Sequence, residues 1–478
     1  MRVGDSFYIE NFGCRASRAD GEALAECLRA GGLSDGEPKA ADVLIVNTCS
    51  VTAEADRAAR AFIRRAHRLN PEAKILATGC YAQRAPYELA KMVGVAAVVG
   101  NSHKALAPEI ALALARGFDQ PQPADSAESI VSLRTLFAGT AAPVFADDRF
   151  AHSFLEEAQL LPGAQTRPNL KIQEGCGNRC SFCVIPQTRG GSRSLDATTV
   201  LRKVEGFVAA GGNELVLSGI NLGRWGRDLS STDPSRSQGL TLAGLLRHIF
   251  AQTPLPRLRL SSIEPMDWDA EMIALMDEFG GTRLARHAHL PLQSGSDAVL
   301  RRMHRRYRPW HYAEKVATLL RAAGPELTVG ADVMVGFPGE SDHEFEETLE
   351  FVRALPFGYL HLFPFSARPG TRAWALHADK PVHAVVVDER MAALRALAEE
   401  KSRAHRQSLV GFELEAITLR TSDKTAGRGK TNALTENFIP VELEGDFGAN
   451  RLVRVRVTSV NDDGKMLCAE AVPALSTL

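Results

Sequence analysis

Three cysteines that lie close together near the middle of this chain constrain it more than any other feature. Cys176, Cys180 and Cys183 have the spacing C-x3-C-x2-C within EGCGNRCSFCVIPQTRGGSRS (174–194). Three thiolates so close together suit an iron–sulfur cluster, and a four-iron cube with three protein ligands keeps one iron free to bind something else. Zinc with a distant fourth ligand is the alternative, because no further Cys or His follows within this loop.

Three more cysteines each follow a predicted strand in the first part of the chain. Cys14, Cys49 and Cys80 stand in NFGCRAS, VNTCSVT and ATGCYAQ. Strand and helix patterns alternate over residues 1–118, which predicts a parallel α/β domain whose strands end at one common edge. We therefore expect these three cysteines to converge, although three separate buried cysteines would give the same pattern.

The rest of the chain divides into a linker and two further domains. Residues 119–165 are rich in Pro, Ser, Asp and Gln and predict a linker, with one strand in SIVSLRTLF (129–137). Six strand–helix units over 166–405 predict a partial α/β barrel with polar residues and glycines at its strand ends. Short strands over 408–475 predict a small all-β barrel. The predicted fold class is thus α/β with a C-terminal β-barrel.

Composition narrows the possible partners and compartments. The 478 residues carry a formal net charge of −1, so any contact with nucleic acid must come from local basic patches. MRVGDSFYIE lacks the apolar core of a signal peptide, and no segment is apolar enough for a membrane helix. We expect a cytoplasmic protein without a membrane partner, in which eight cysteines do not indicate a disulfide scaffold.

The cysteine-rich string and the three upstream cysteines resemble the methylthiotransferases of the radical S-adenosylmethionine (SAM) superfamily. The resemblance covers nearly the whole chain apart from the linker. LVLSGINLGRWG (215–226) and HLPLQSGSD (289–297) most resemble the branch that acts on threonylcarbamoyladenosine at tRNA position 37. The resemblance implies two 4Fe–4S clusters, SAM, and transfer of a methylthio group to carbon 2 of the adenine. It also implies a tRNA anticodon stem-loop as substrate and an electron donor such as flavodoxin or ferredoxin.

The family's motifs carry over to individual positions of this chain. The SAM-cluster ligands match Cys176, Cys180 and Cys183, and the second-cluster ligands match Cys14, Cys49 and Cys80. The residues expected to line SAM or the substrate are Glu214, Gly219, Ser262, Glu264 and Gln293, with Glu214 expected to meet the SAM amino group. No catalytic residue is assigned. One departure lies beside the second cluster, where Ser17 replaces the asparagine that is usual in the family.

The C-terminal barrel resembles the TRAM domain, an RNA-binding barrel that ends members of this family. The basic residues expected to contact RNA phosphates are Arg420, Lys424, Arg428, Lys430 and Arg454. Three alternatives remain open: action on isopentenyladenosine in tRNA, action on a ribosomal-protein side chain, and a non-catalytic RNA-binding protein with a structural metal. The last predicts no SAM turnover and leaves six matching cysteines unexplained, whereas GINLGRWG discriminates among the enzymes.

Overall fold

The computed structural model describes most of the chain. The described residues are 5–116, 142–150, 154, 160, 162, 166–229, 240–422, 425, 427 and 429–472. The strand predicted in SIVSLRTLF lies outside them, as do Lys424 and Arg428 of the predicted RNA surface. Among the described helices, none combines the length and the apolar composition that crossing a bilayer requires.

The N-terminal domain is a parallel sheet with helices on both faces. Its strands are β1 (Ser6–Asn11), β2 (Ser34–Asp35), β3 (Val43–Thr48), β4 (Lys74–Gly79), β5 (Val95–Gly100) and β6 (Val144–Phe145). Its helices are α1 (Arg15–Ala30), α2 (Ala53–Leu69), α3 (Cys80–Arg84), α4 (Pro86–Ala90) and α5 (Ala107–Arg116). The strand order is β2-β1-β3-β4-β5-β6, and every pair is parallel. The edge strand β6 comes from the segment that was predicted to be linker.

Alternation along the central strand β3 explains the two helical layers. Val43 and Ile45 pack in one apolar cluster with Leu24 of α1, whereas Leu44 packs in the other with Phe62 of α2. Successive side chains of a strand point to opposite faces, so a strand that is apolar throughout must be covered on both sides.

The middle of the chain forms the predicted partial barrel. Its strands are β7 (Asn169–Glu174), β8 (Arg193–Ser194), β9 (Glu214–Gly219), β10 (Arg257–Leu260), β11 (His287–His289), β12 (Thr328–Val335) and β13 (Phe357–Pro364). Its helices are α6 (Ile185–Arg189), α7 (Ala197–Ala209), α8 (Leu242–Gln252), α9 (Ala270–Phe279), α10 (Asp297–Arg302), α11 (Pro309–Ala323), α12 (Asp342–Ala354), α13 (Arg372–Asp379) and α14 (Ala384–Ser408). The strands form two sheets, β10-β9-β7-β8 and β11-β12-β13, which meet where Leu258 bridges to Leu284. The barrel is open between β13 and the edge that β7 forms with the short strand β8.

The N-terminal domain spans this open side. Asp20 of α1 forms an ion pair with Lys171 of β7 at one border. At the other border Asp56 of α2 forms an ion pair of 2.7 Å with Arg368, which follows β13. The cysteine edge of the first sheet is thereby held against the barrel.

A closed β-barrel ends the chain and corresponds to the predicted TRAM domain. Its strands are β14 (Glu413–Thr418), β15 (Lys430–Thr435), β16 (Pro440–Glu444), β17 (Leu452–Val460) and β18 (Leu467–Ala471), in the order β14-β15-β16-β18-β17. Arg259 of β10 donates to the carbonyl oxygens of Thr435 and Glu436, and Arg286 forms an ion pair with Glu436. These contacts dock the β-barrel at the amino ends of the partial-barrel strands, away from the cysteine loop that follows β7.

Glu214 also lies at the amino end, so its expected contact with the SAM amino group is wrong. It is the first residue of β9 and is fully buried, and its carboxylate pairs with Arg259 at 2.8 Å and Arg257 at 3.3 Å. Burial raises the pKa of Glu214, but Arg259 and Arg257 outweigh burial and the net pKa is lowered. At about 3.3 Å per residue, Glu214 lies about 16 Å from the strand end that carries Gly219.

Replacing Glu214 with Gln is expected to destabilise the protein by about 3 kcal/mol or more, because the buried Arg259 loses its carboxylate partner and Arg257 keeps only Glu415. Urea denaturation followed by far-UV circular dichroism measures this. The matched control is Glu88→Gln, which removes an exposed partner of Arg60 and should cost less than about 1 kcal/mol. Folded Glu214→Gln should bind SAM with wild-type affinity. A loss of SAM affinity would support the original expectation that Glu214 contacts the SAM amino group.

Candidate active site

The first cysteine triad lies along one edge of the N-terminal sheet. The strands that precede its members, β1, β3 and β4, are neighbours in the sheet. The register pairs Asn11 with Asn47 and Asn47 with Thr78, so the three strands end at the same level. Parallel strands that end level deliver Cys14, Cys49 and Cys80 to one place.

Glycines permit the close approach of these cysteine loops. Gly13 has φ +102° and Gly79 has φ +96°, conformations that residues with a Cβ rarely adopt. A Cβ at Gly13 would also collide with Cys49 Sγ, and one at Gly79 with the carbonyl oxygen of Thr48. Each glycine directly precedes a cysteine, so these two positions fix the turns that present Cys14 and Cys80.

The three thiols share one electrostatic environment. The pKa of Cys49 is raised to about 12, first by burial and then by the nearby Cys80 and Cys14. Cys80 Sγ accepts hydrogen bonds from Arg189 Nε at 3.2 Å and from Asn101 Nδ2 at 3.4 Å. Metal ions bind the thiolate form, and a guanidinium beside the sulfur stabilises that form.

The second triad lies in the loop between β7 and α6, at the carboxyl ends of the barrel strands. The pKa of Cys183 is raised to about 12 by burial and then by Cys180 and Cys176. Cys176 Sγ accepts from Asn221 Nδ2 at 3.4 Å, and Cys180 Sγ accepts from Arg305 Nη1 at 3.3 Å. Hydrogen bonds to ligand sulfurs are among the contacts that tune an iron–sulfur cluster.

The spacing of the sulfurs argues against one zinc ion in either triad. Within the described ranges, a single group of three or more ligand atoms lies within 4.8 Å of one another, and it is His289, Asp332 and His361. Zinc with Zn–S bonds of about 2.3 Å would draw three sulfurs closer together than 4.8 Å. The wider spread of both cysteine triads suits a cluster of several metal ions.

The predicted residues other than Glu214 lie at or after the carboxyl ends of their strands, the end of the barrel that carries the second triad. Gly219 ends β9, and Ser262 follows β10. Glu264 forms an ion pair with Arg305, which also contacts Cys180. Gln293 is buried with φ +65°, a strained conformation of the kind that functional sites hold.

Four buried polar atoms near this rim have no hydrogen-bond partner among the described residues. They are Ser218 Oγ, Asn221 Oδ1, Ser261 Oγ and Gln293 Oε1. Buried polar atoms are normally satisfied, so such a group indicates a polar ligand or ordered water. SAM carries amino, carboxylate, hydroxyl and ring nitrogen groups, which fit this set. Of the four residues, Gln293 alone was predicted. Ser218 and Asn221 lie within the quoted motif LVLSGINLGRWG, and Ser261 directly precedes the predicted Ser262.

A buried charge network connects the first triad to the end of β7, the strand that precedes the second triad. It consists of the carboxylates of Asp20 and Glu174 and the cations of Lys104, Lys171 and Arg189. Arg189 Nη1 donates to Glu174 at 2.7 Å, and Arg189 Nη2 lies 3.2 Å from Asp20. Burial raises the pKa of Glu174, but Arg189 and Lys171 outweigh burial and lower it to about 2. The Glu174 carboxylate therefore stays ionised at neutral pH.

The hydroxyl of Ser17 lies between this charge network and the first triad. It accepts from Arg189 Nη2 at 3.3 Å and lies 3.7 Å from Cys14 Sγ. The serine that replaces the family's usual asparagine therefore keeps a polar group between the first triad and the arginine.

The described members of the predicted RNA surface are partly neutralised on the β-barrel itself. Lys430 pairs with Glu442 at 2.6 Å, and Arg454 pairs with Glu413 at 2.9 Å. Arg420 is exposed at the end of β14. Exposed ion pairs are weak, so a phosphate group can replace the carboxylates.

Comparisons with known proteins agree with this architecture. Residues 6–100 match the model described as "Uncharacterized protein family UPF0004", and residues 170–352 match that of the radical SAM superfamily. The threonylcarbamoyladenosine tRNA methylthiotransferase of Bacillus subtilis is 33% identical over 94% of this chain and 93% of the relative. The Aquifex aeolicus protein of the same name is 34% identical over 94% of this chain and 99% of the relative. The tRNA-2-methylthio-N(6)-dimethylallyladenosine synthase of Cereibacter sphaeroides is 32% identical over 96% and 97%.

This chain belongs to the radical SAM methylthiotransferase family. It is therefore a transferase that uses SAM and two 4Fe–4S clusters and needs a reductant. The radical SAM methyltransferase TsrM of Kitasatospora setae has a similar fold, with a TM-score of 0.51 at 16% identity over 79% of this chain and 78% of that one. The partial barrel and the α/β domain are thus a known combination of folds.

Replacing Arg189 with Met is expected to loosen α1, because Glu174 and Asp20 lose a buried counter-charge. Hydrogen–deuterium exchange in α1 should become about tenfold faster or more. Arg247→Met, which breaks an exposed pair with Glu278, is the control and should leave exchange in α1 unchanged. Unaltered exchange in Arg189→Met would show that the network does not hold the N-terminal domain.

Proposed function

We propose that this methylthiotransferase acts on tRNA and adds a methylthio group to carbon 2 of N6-threonylcarbamoyladenosine at position 37. The observation that carries the reaction class is the presence of two cysteine triads, with Arg189 donating to Cys80 of the first and to Glu174, which ends the strand before the second. The relatives from Bacillus subtilis and Aquifex aeolicus are named for this substrate. The dimethylallyladenosine synthases are nearly as similar, so the identities alone do not separate the two substrates.

We propose that each triad holds one of the two clusters. Cys176, Cys180 and Cys183 would bind the cluster that holds SAM, and Cys14, Cys49 and Cys80 the second one. When bound, the SAM cluster supplies a 5′-deoxyadenosyl radical and the second cluster supplies the sulfur that is transferred. An external one-electron donor, such as flavodoxin or ferredoxin, would reduce the clusters.

The side chains around the triads would bind and shield the reactants. The unpartnered polar atoms of Ser218, Ser261 and Gln293 are available to the polar groups of SAM. The N-terminal domain covers the open side of the barrel, which keeps water away from reactive species. Position 37 lies in a single-stranded loop, so its base can leave the stack and enter the barrel at modest cost. Exposed basic residues of the β-barrel, such as Arg420, would contact tRNA phosphates.

The cluster assignment predicts the iron content of cysteine variants. Cys49→Ala and Cys180→Ala should each lower reconstituted iron from about eight atoms per chain to about four. Cys49→Ala should still cleave SAM but transfer no sulfur, whereas Cys180→Ala should do neither. Cys468→Ala, a free cysteine in β18, is the control and should keep all the iron. Zinc in place of iron in the reconstituted protein would contradict the assignment.

The substrate is tested by mass spectrometry of tRNA nucleosides from cells that lack this gene, with and without the gene restored. A 2-methylthio form of threonylcarbamoyladenosine should appear only when the gene is present. A methylthio group on isopentenyladenosine instead would support the reaction class but contradict the proposed substrate. No change in any tRNA nucleoside would point to a protein side chain.

A further inference from the structure

The inner wall of the partial barrel carries a polar cluster that the cysteine triads do not use. Asp332 of β12 accepts from His289 Nε2 at 3.1 Å and from His361 Nδ1 at 3.2 Å. The register pairs Asp332 with His361, and His289 lies opposite Gly330, so the cluster sits at mid-height in the barrel. The His361 side chain is 58% exposed although it contacts these inward-facing residues. Its ring is therefore accessible to a ligand inside the barrel.

Arg15 extends from α1 toward the same wall. Its guanidinium lies 5.0 Å from the centroid of the Phe438 ring and is half-buried. The described part of the chain offers this guanidinium no hydrogen bond and no ion pair. A partly buried cation without a counter-ion is costly unless an anion binds to it.

Aromatic contacts connect Arg15 to the histidines. The Phe438 ring lies 5.7 Å from that of Tyr359, and the Tyr359 ring lies 5.2 Å from that of His361. Tyr359 Oη also lies 2.9 Å from His289 Nδ1, which fixes the orientation of that imidazole. One carboxylate, Asp332, thus lies beside two imidazoles, and the Arg15 guanidinium has no ion pair among the described residues, so the wall can accept a further anion.

We infer that Arg15 and His361 bind the carboxylate of the N6 substituent of the target adenine, and that Asp332 and His289 orient His361. This inference rests on the proposed function, since threonylcarbamoyladenosine carries a carboxylate and a hydroxyl group on that substituent. An isopentenyl group carries neither and would leave Arg15 unpaired. A site built to pair with a polar group discriminates strongly against an analogue that lacks it.

His289, Asp332 and His361 could instead hold a divalent cation, because their ligand atoms lie within 4.8 Å of one another. Two features favour the carboxylate. Arg15 would repel a cation at this wall, and the exposed His361 would provide only weak enclosure of an ion.

The test compares three anticodon stem-loops that differ only at position 37. They carry threonylcarbamoyladenosine, its neutral carboxamide analogue, or isopentenyladenosine, and bind to the reconstituted full chain at one salt concentration. The wild type should bind the acid about 10- to 100-fold more tightly than the carboxamide. Arg15→Gln and His361→Gln should each bring this ratio close to one, without weakening the binding of the isopentenyl stem-loop. Arg15→Lys should keep part of the preference.

Matched controls separate this effect from damage to the fold. Arg57→Gln and His343→Gln change exposed residues of α2 and α12 and should keep the wild-type ratio. Iron content and circular dichroism are measured for every variant. If Arg15→Gln loses iron because it adjoins Cys14, His361→Gln decides the outcome.

The outcomes distinguish this inference from the proposed function. If the wild type methylthiolates the acid stem-loop but both glutamine variants keep the wild-type ratio, the inference is wrong and the function stands. If the wild type acts on the isopentenyl stem-loop alone, the proposed substrate is wrong whatever the variants do. A stoichiometric metal other than iron that is lost in His361→Gln would also overturn the inference.

Discussion

Opposite charges buried between the first sheet and the partial barrel determine how this protein assembles its active site. Asp20 and Lys104 come from the N-terminal domain, and Lys171, Glu174 and Arg189 come from the barrel. Removing any one of them would leave the others buried with unbalanced charge, so neither domain is complete alone. Because Arg189 also donates to Cys80, the contact that joins the domains also supports a proposed cluster ligand. Assembly of the fold and formation of the site are therefore one event.

Polar groups lie at three levels of the barrel, and their partners differ from level to level. At the amino end the charges pair with one another and with the C-terminal β-barrel, through Glu214, Arg259 and Glu436. At mid-height the imidazole of His361 is exposed, and the guanidinium of Arg15 has no ion pair among the described residues. At the carboxyl end, polar atoms such as Ser261 Oγ have no partner among the described residues. Unsatisfied groups at this end suit the binding of a polar ligand.

The sequence predicted those parts of the site that depend on local patterns. The two cysteine triads, the strand that precedes each cysteine and the three-domain order follow from spacing and periodicity. The role expected of Glu214 was wrong because an apolar strand pattern does not reveal which end of the strand meets the ligand. The hydrogen bond between Arg189 and Cys80 could not be predicted from the sequence, because 109 positions separate the two residues. Arg15 was missed because its environment exists only once α1 crosses the open side of the barrel.

The most direct test of this account is electron paramagnetic resonance of the reduced protein, which reports whether two clusters lie near each other. The spectrum of the wild type is compared with the sum of the spectra of Cys49→Ala and Cys180→Ala, each of which keeps one cluster. If the triads face one site, dipolar coupling will broaden or split the wild-type signal beyond that sum. A wild-type spectrum equal to the sum would contradict the claim that the two halves form a single active site.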